Sequence, residues 1–227
     1  MTRRTKMRGN ERIGLFGGTF DPIHLGHLHA AEVVQRKLDL TSTLFIPSSI
    51  PPHKDRGTAV SAGDRLKMVE LALEGRPGLI ASSVEVDAGG VSFAVDTMKQ
   101  ISRLYPRSRL YYIIGVDAFL EIDTWKNYKR LLDEYTFIII SRPGITLQDT
   151  REILGEKYRE RVADVADASE MRDAEEGGSN LFLLRFRALD ISSTYIRECL
   201  QQGKPIQGLV PASVEAYIRE KKLYQEK

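Results

Sequence analysis

Short apolar runs recur along this chain of 227 residues, each followed by a segment with helical periodicity. That alternation leaves one economical architecture, a mainly parallel sheet with helices on both faces, because strands buried on two sides read as unbroken apolar stretches. Arg12–Phe16 is the first such stretch and Leu25–Leu38 the first helix, with Leu28, Ala31, Val34 and Leu38 as its buried stripe. Strands are predicted over Thr43–Pro47, Leu79–Val86, Leu110–Ile114, Phe137–Ile140 and Leu181–Phe186, and helices over Ala62–Leu73, Phe93–Leu104, Ser193–Gln201 and Ala212–Leu223. Pro143 and Gly144 end the Phe137–Ile140 strand. Ser48–Ser61 is a polar, proline-bearing connection, long enough to be a candidate for function. The expected fold class is α/β, a doubly wound sheet, and the expected organisation is one domain over residues 1–227.

Three segments depart from that rhythm. Residues 1–11 carry Arg3, Arg4, Lys6 and Arg8 with no apolar stretch behind them, and read as a flexible arm rather than a secretory leader. Over residues 163–179 Asp164, Asp167, Glu170, Asp173, Glu175 and Glu176 accumulate before Gly177 and Gly178, the pattern of a solvated acidic insertion. Residues 190–227 form a helical C-terminal part. No internal repeat interrupts the chain.

Charge and cysteine usage exclude several classes of function. The 33 basic and 31 acidic residues nearly cancel, at +2, so no broad field exists to hold nucleic acid and any anion site must be local. Cys199 is the single cysteine, which excludes an internal disulfide and a multi-cysteine metal cage. No run approaches the roughly 20 apolar residues of a membrane-spanning helix. A cytoplasmic protein is expected, with neither nucleic acid nor a membrane as partner.

Directly after the first strand comes Gly17-Gly18-Thr19-Phe20-Asp21-Pro22-Ile23-His24-Leu25-Gly26-His27. Two glycines at a strand's end let the backbone turn sharply and approach a ligand, and the next helix start offers N–H groups and a positive dipole end. Such a place suits phosphate, although the spacing is not the G-x-G-x-x-G of dinucleotide cofactor sites. His24 and His27, three residues apart where the helix opens, share one face, and Gly26 leaves the surface between them bare. All four histidines, His24, His27, His29 and His53, fall in this N-terminal stretch, with His29 read as an ordinary helix-surface residue. Zinc is the competing reading, but there is no thiolate cluster, and histidines beside phosphate-binding backbone suit charge stabilisation better.

The run from Gly17 to His27 resembles the signature of the H-x-G-H nucleotidyltransferase superfamily, and its Gly-Gly-Thr-Phe-Asp-Pro-Ile-His form is similar to that of nicotinate-nucleotide adenylyltransferases. Ile50-Pro51-Pro52-His53-Lys54 resembles that family's P-P-H-K loop, Gly115-Val116-Asp117-Ala118-Phe119 its G-x-D-x-F segment, and Ile191-Ser192-Ser193-Thr194-Tyr195-Ile196-Arg197 its I-S-S-T-x-I-R box. The resemblance covers nearly the whole chain. It implies a Rossmann-like fold and transfer of an adenylyl group from ATP, with Mg²⁺, to a pyridine mononucleotide, nicotinate mononucleotide foremost. Nicotinamide mononucleotide and phosphopantetheine are the alternative acceptors, and a non-catalytic nucleotide- or metal-binding module is the alternative of another class.

In this scheme no protein nucleophile is required, and catalysis rests on positioning and on donors aimed where negative charge grows. The resemblance implies that His24, His27 and Lys54 serve catalysis, His24 and His27 as donors to the α-phosphate. Gly17, Gly18, Thr19, Phe20, Gly26, Gly115, Asp117, Ser192, Ser193, Thr194, Ile196 and Arg197 fall on the ATP side. His53, Ser92, Phe93, Ala94, Asp96, Trp125 and Arg142 fall on the acceptor side. No protein metal site is expected. Each assignment competes with a plainer one: Lys54 and Arg142 as exposed surface charges, Ser192 to Thr194 as a helix cap, Asp117 as another cap, and Trp125 as core. One departure bears on the acceptor. Where the family shows S-Y-T-x-D-T, this chain has Ser92-Phe93-Ala94-Val95-Asp96-Thr97, without the tyrosine and threonine hydroxyls. Either backbone N–H groups recognise the acceptor there, or selectivity for nicotinate over nicotinamide changes.

Overall fold

The structure is a computed structural model that describes residues 11–52, 59–140, 154 and 156–225. Seven strands form one sheet: β1 (Arg12–Gly18), β2 (Ser42–Pro47), β3 (Leu79–Ala81), β4 (Arg109–Gly115), β5 (Thr136–Ile140), β6 (Val162–Val165) and β7 (Leu181–Leu184). Their order is β3-β2-β1-β4-β5-β7-β6 and every pairing is parallel. Side chains alternate across the sheet, so Ile13 and Leu15 of β1 enter one core and Phe16 the other, while Tyr112 and Tyr111 of β4 divide in the same way. Parallel strands buried on both faces explain the unbroken apolar runs.

The helices divide between those cores. On the Phe16 side lie α1 (Leu25–Lys37) and α2 (Ala62–Leu73); on the other lie α3 (Val84–Ala88), α4 (Ala94–Leu104), α5 (Val116–Phe119), α6 (Tyr128–Glu134) and α7 (Glu156–Arg159). Returning to the first side, α8 (Ala168–Glu176), α9 (Ser193–Gln201) and α10 (Ala212–Glu220) bury Met171, Ile196 and Val214. The Rossmann-like, doubly wound class expected from the sequence is the one found. Because all strands are parallel, their carboxyl ends share one edge. The chain reverses its direction of sheet growth between β1 and β4, and in such sheets ligands gather at that reversal.

Two segments differ most from expectation, and smaller differences fall at element ends, where the Ala212–Leu223 helix stops at Glu220 and the Leu181–Phe186 strand at Leu184. The Leu79–Val86 strand stops at Ala81, since β2 offers it only three register partners, Thr43 to Phe45, and the chain then turns into α3 with only Val84 buried. The acidic stretch 163–179 is not a loop insertion but β6 and α8. Val162 and Val165 bury themselves beside β7, and the Asp167 carboxylate caps α8, accepting from the N–H groups of Ser169 and Glu170 at 2.8 and 3.1 Å. An edge strand and a helix with one buried residue carry little apolar signal, so the acidic solvent face dominated the reading. The 1–10 arm and the Ser141–Gly144 turn lie outside the described residues.

Tyr111 gives a test of this packing. Its ring is buried and its hydroxyl donates to a Glu175 carboxylate oxygen at 2.9 Å. Burial, then the charge of Glu175, pushes its ionisation up to about 12, against an opposing pull from Arg12. Its folded pKa lies above the unfolded value of about 10, so its contribution to stability is complete below that and is lost as pH rises towards 12. Urea midpoints of the protein and of Tyr111→Phe, followed from pH 9 upward, will converge; parallel curves would remove this assignment.

Candidate active site

The site begins where β1 ends, because three local constraints shape that turn. A side chain at Gly17 would place its first carbon 2.6 Å from the Tyr112 hydroxyl, and one at Gly18 would meet the Phe20 ring at 3.0 Å. Phe20 itself adopts a left-handed φ of 49°. Its ring is buried and meets Phe16 edge-on at 5.9 Å and His27 at 5.1 Å, so it seats a histidine rather than facing a ligand.

His24 is the N-cap of α1, and its backbone N–H donates to Nδ1 of His27 at 3.2 Å. That bond requires a lone pair on Nδ1, so the neutral ring of His27 carries its proton on Nε2. The two rings stack with centroids 3.6 Å apart and 28° between planes, His24 buried and His27 half-buried. Gly26 makes this possible: a side chain there would lie 2.9 Å from Nδ1 of His24.

The box after β7 ties this turn down. Ser192 caps α9, Ser193 donates its hydroxyl to the Pro22 carbonyl at 2.9 Å, and Arg197 donates to the Asp21 carbonyl at 2.7 Å and to Thr194 at 3.2 Å. Ile196 is fully buried and its N–H already serves the Ser192 carbonyl, so its side chain anchors α9 in the core and does not reach the nucleotide side. Gly115 ends β4 where a side chain would enter open space, and Asp117 is exposed in the first turn of α5.

On the other side of β1 lie the acceptor candidates. Trp125 is half-buried with its ring edge-on to Tyr112 at 6.1 Å. Phe93 and Asp96, at the start of α4, both hold Lys126: its ammonium is 4.3 Å from the Phe93 ring centre and 2.9 Å from the Asp96 carboxylate. Ala94 opens α4, and the Ser92 hydroxyl accepts from the Ser49 N–H at 2.8 Å. His53, Lys54 and Arg142 lie outside the described residues, and His29 Nε2 donates to the Arg187 carbonyl at 3.1 Å, away from this turn.

Four residues that the motifs did not single out organise the site. Arg65 is fully buried, donating to the carbonyls of Thr19 at 2.7 Å and Ser49 at 2.8 Å; burial pushes its pKa down and Asp21 opposes this. The Asp21 carboxylate accepts from the Ala59 N–H and the Tyr224 hydroxyl, each at 2.9 Å. Burial, followed by the charge of Asp21, raises the pKa of Tyr224. Burial likewise raises that of Glu85, opposed by hydrogen bonds from Thr97 and Ser92. Arg65 was visible in principle, for it falls on the helical stripe that also holds Met68, Val69, Ala72 and Leu73. A cavity of about 700 Å³ opens at the opposite sheet edge, lined by Tyr105, Arg109 and Glu175 among others, and contains none of these groups.

Residues 15–199 match the family model described as cytidylyltransferase-like. A protein of Desulfatibacillum aliphaticivorans named as a probable nicotinate-nucleotide adenylyltransferase is 45% identical over 219 residues, which cover 94% of this chain and 99% of the relative. The chain belongs to the nicotinate-nucleotide adenylyltransferase family. A second member, from Desulfitobacterium hafniense (strain DSM 10664 / DCB-2), is 41% identical over 95% of this chain and 96% of its own. Among solved structures, the nicotinic acid mononucleotide adenylyltransferase of Plasmodium falciparum complexed with NaAD superposes with a TM-score of 0.70 at 18% identity, covering 95% of this chain and 98% of that one. At that identity the likeness concerns the fold, and the seven-stranded sheet is the shared frame. The enzyme is a nucleotidyltransferase, and among the described residues no helix is long and apolar enough to cross a membrane.

Gly26 separates stability from catalysis in this enzyme. Alanine is favoured over glycine within a helix by about 1 kcal/mol, but here it would displace the His24 ring. Gly26→Ala will keep or raise the thermal midpoint while turnover falls by about tenfold or more, the scale of a disturbed preorganised donor. A stable variant with full turnover would show that the stacked geometry is dispensable.

Proposed function

We propose that the enzyme transfers the adenylyl group of ATP to nicotinate mononucleotide, releasing pyrophosphate and forming nicotinate adenine dinucleotide. The observation that carries this reading is the stacked His24–His27 pair at the opening of α1, with the His27 proton assigned to Nε2. An oxygen of the acceptor's phosphate attacks the α-phosphorus of ATP. A new phosphorus–oxygen bond forms as the bond to the leaving pyrophosphate breaks, and no covalent enzyme intermediate is needed. Negative charge grows on the non-bridging oxygens of the α-phosphate, where the two imidazoles donate without reorganising. Gly17, Gly18, Thr19 and Gly26 let backbone and phosphate approach. Ser192, Ser193, Thr194 and Arg197 keep the turn fixed, and Gly115 and Asp117 border the ribose. Lys54 and His53 supply positive charge from the loop beyond Pro52.

On the acceptor side, Trp125 offers a face for the pyridine ring beside Tyr112, and Ser92, Phe93 and Ala94 bring the start of α4 to its substituent. A helix N-terminus favours an anionic carboxylate over a neutral amide, so the missing hydroxyls at Phe93 and Ala94 need not cost selectivity for nicotinate. Arg142 serves the acceptor's phosphate. Mg²⁺ accompanies ATP. Such an ion is typically held by substrate phosphates and its own waters rather than by a dedicated protein cage. When bound with ATP, that ion would supply charge to balance the leaving pyrophosphate, and the protein works in the cytoplasm.

Steady-state assays with ATP and Mg²⁺ will show the highest kcat/KM with nicotinate mononucleotide, ahead of nicotinamide mononucleotide and phosphopantetheine. A tenfold preference for another acceptor would overturn the assignment. His24→Ala and His27→Ala will each slow turnover by about two to three orders of magnitude, the scale for losing one preorganised donor. Near-normal rates in both would end their catalytic role. Chelation of divalent ions will stop turnover, and added Mg²⁺ will restore it.

A further inference from the structure

A chain of half-buried hydrogen bonds connects the two halves of the site. It starts at the Arg65 guanidinium, which reaches out of α2 between two loops that belong to different strands. One arm holds the Thr19 carbonyl, in the turn that carries the histidines, at 2.7 Å. The other holds the Ser49 carbonyl, in the loop after β2, at 2.8 Å. Ser49 is gripped again through its N–H, which donates to the Ser92 hydroxyl at 2.8 Å. Ser92 also lies beside the Glu85 carboxylate, to which Thr97 donates its hydroxyl.

The backbone runs alongside this chain. Ser92 N–H donates to the Ile50 carbonyl at 2.9 Å, Ile50 N–H to the Gly90 carbonyl at 3.2 Å, and Ser48 N–H to the Gly18 carbonyl at 2.9 Å. Gly89 and Gly90, with φ of 65° and 70°, supply the left-handed turn that brings Val91 and Ser92 back beside Ile50. Residues 48–50 are thus a strut between the histidine turn and the start of α4.

We infer that Arg65, Ser92 and Glu85 are positioning residues that hold the acceptor turn in register with the histidine turn, acting through the backbone of Ser49. This rests on the function proposed above, in which those turns carry different substrates. In-line transfer needs the attacking oxygen and the α-phosphorus aligned to within a fraction of an ångström, and misplacement of about 1 Å costs on the order of 100-fold. A planar guanidinium bridges two carbonyls at fixed spacing, whereas an ammonium holds them as a point charge. An arginine is therefore suited to set the distance between the loops, and the half-buried Glu85 carboxylate stands at the far end, beside Ser92 and bonded to Thr97.

The test separates positioning from general stabilisation. Ser92→Ala removes the acceptor of the Ser49 N–H and Glu85→Gln removes the charge beside it, so in each KM for nicotinate mononucleotide will rise by about tenfold while KM for ATP changes by less than about twofold. Titration of the lone Trp125 fluorescence with nicotinate mononucleotide, without ATP, will show the same weakening. Arg65→Lys keeps the charge but not the fork, and will lower kcat by about tenfold or more. Combined with Ser92→Ala, its effect on kcat/KM will fall short of the product of the single effects, because one strut carries both. An unchanged acceptor KM and fluorescence titration in Ser92→Ala and Glu85→Gln, or effects of Arg65→Lys and Ser92→Ala that simply multiply, would overturn the inference. So would equal weakening of both substrates. If the unmodified enzyme itself transferred no adenylyl group to any of the three acceptors, the proposed function would fail instead.

Discussion

A parallel sheet that reverses its order between β1 and β4 dictates nearly everything else in this molecule. Parallel strands deliver their carboxyl ends to one edge, and the reversal sends the next connections in opposite directions, so a crevice is left where neither covers the edge. The signature turn, the loop after β2 and the first turn of α5 all open from that edge. The fold therefore brings together groups far apart in sequence before any side chain has chosen a role. What the side chains add is precision.

That precision comes from polar groups buried in the turn rather than from the apolar core beneath it. The carbonyls of Thr19, Asp21 and Pro22 receive donors from two helices: Arg65 of α2, then Arg197 and Ser193 of α9. Burying a guanidinium in an apolar stripe is unfavourable unless every donor finds a partner of good geometry. Arg65 places its two terminal nitrogens on carbonyls by crossing between loops, while its buried Nε has no partner among the described residues. The histidine pair is then set by backbone rather than by flexible contacts, since the N-cap N–H of one ring's residue selects the proton position of the other.

Much of the frame was legible in the sequence because a parallel sheet writes apolar runs and helical stripes at regular intervals. The bounds of α2 and α9 agree with their periodicity, and those of α1, α4 and β4 differ by a residue or two. What escaped was weakly written: β6 and α8 hide behind acidic solvent faces, and α3 has a single buried residue. At the site, the signature turn and the C-terminal box were read as ligand-facing. The structure shows several of their side chains, those of Ser193, Arg197, Phe20 and Ile196, spent on holding the turn together. Motif spacing cannot separate a residue that touches a ligand from one that steadies its neighbour. Arg65 and Glu85 were missed for the converse reason, since their partners are carbonyls and hydroxyls of distant loops.

The hydroxyl of Tyr224 closes on Asp21 across 203 positions of sequence. Few contacts in the site are more remote along the chain, and contacts of such separation form only after the intervening polypeptide has been organised. The signature turn therefore lacks this partner until the segment after α10 has packed against it. A chain whose last helices have not yet docked thus holds its histidine turn without its final brace.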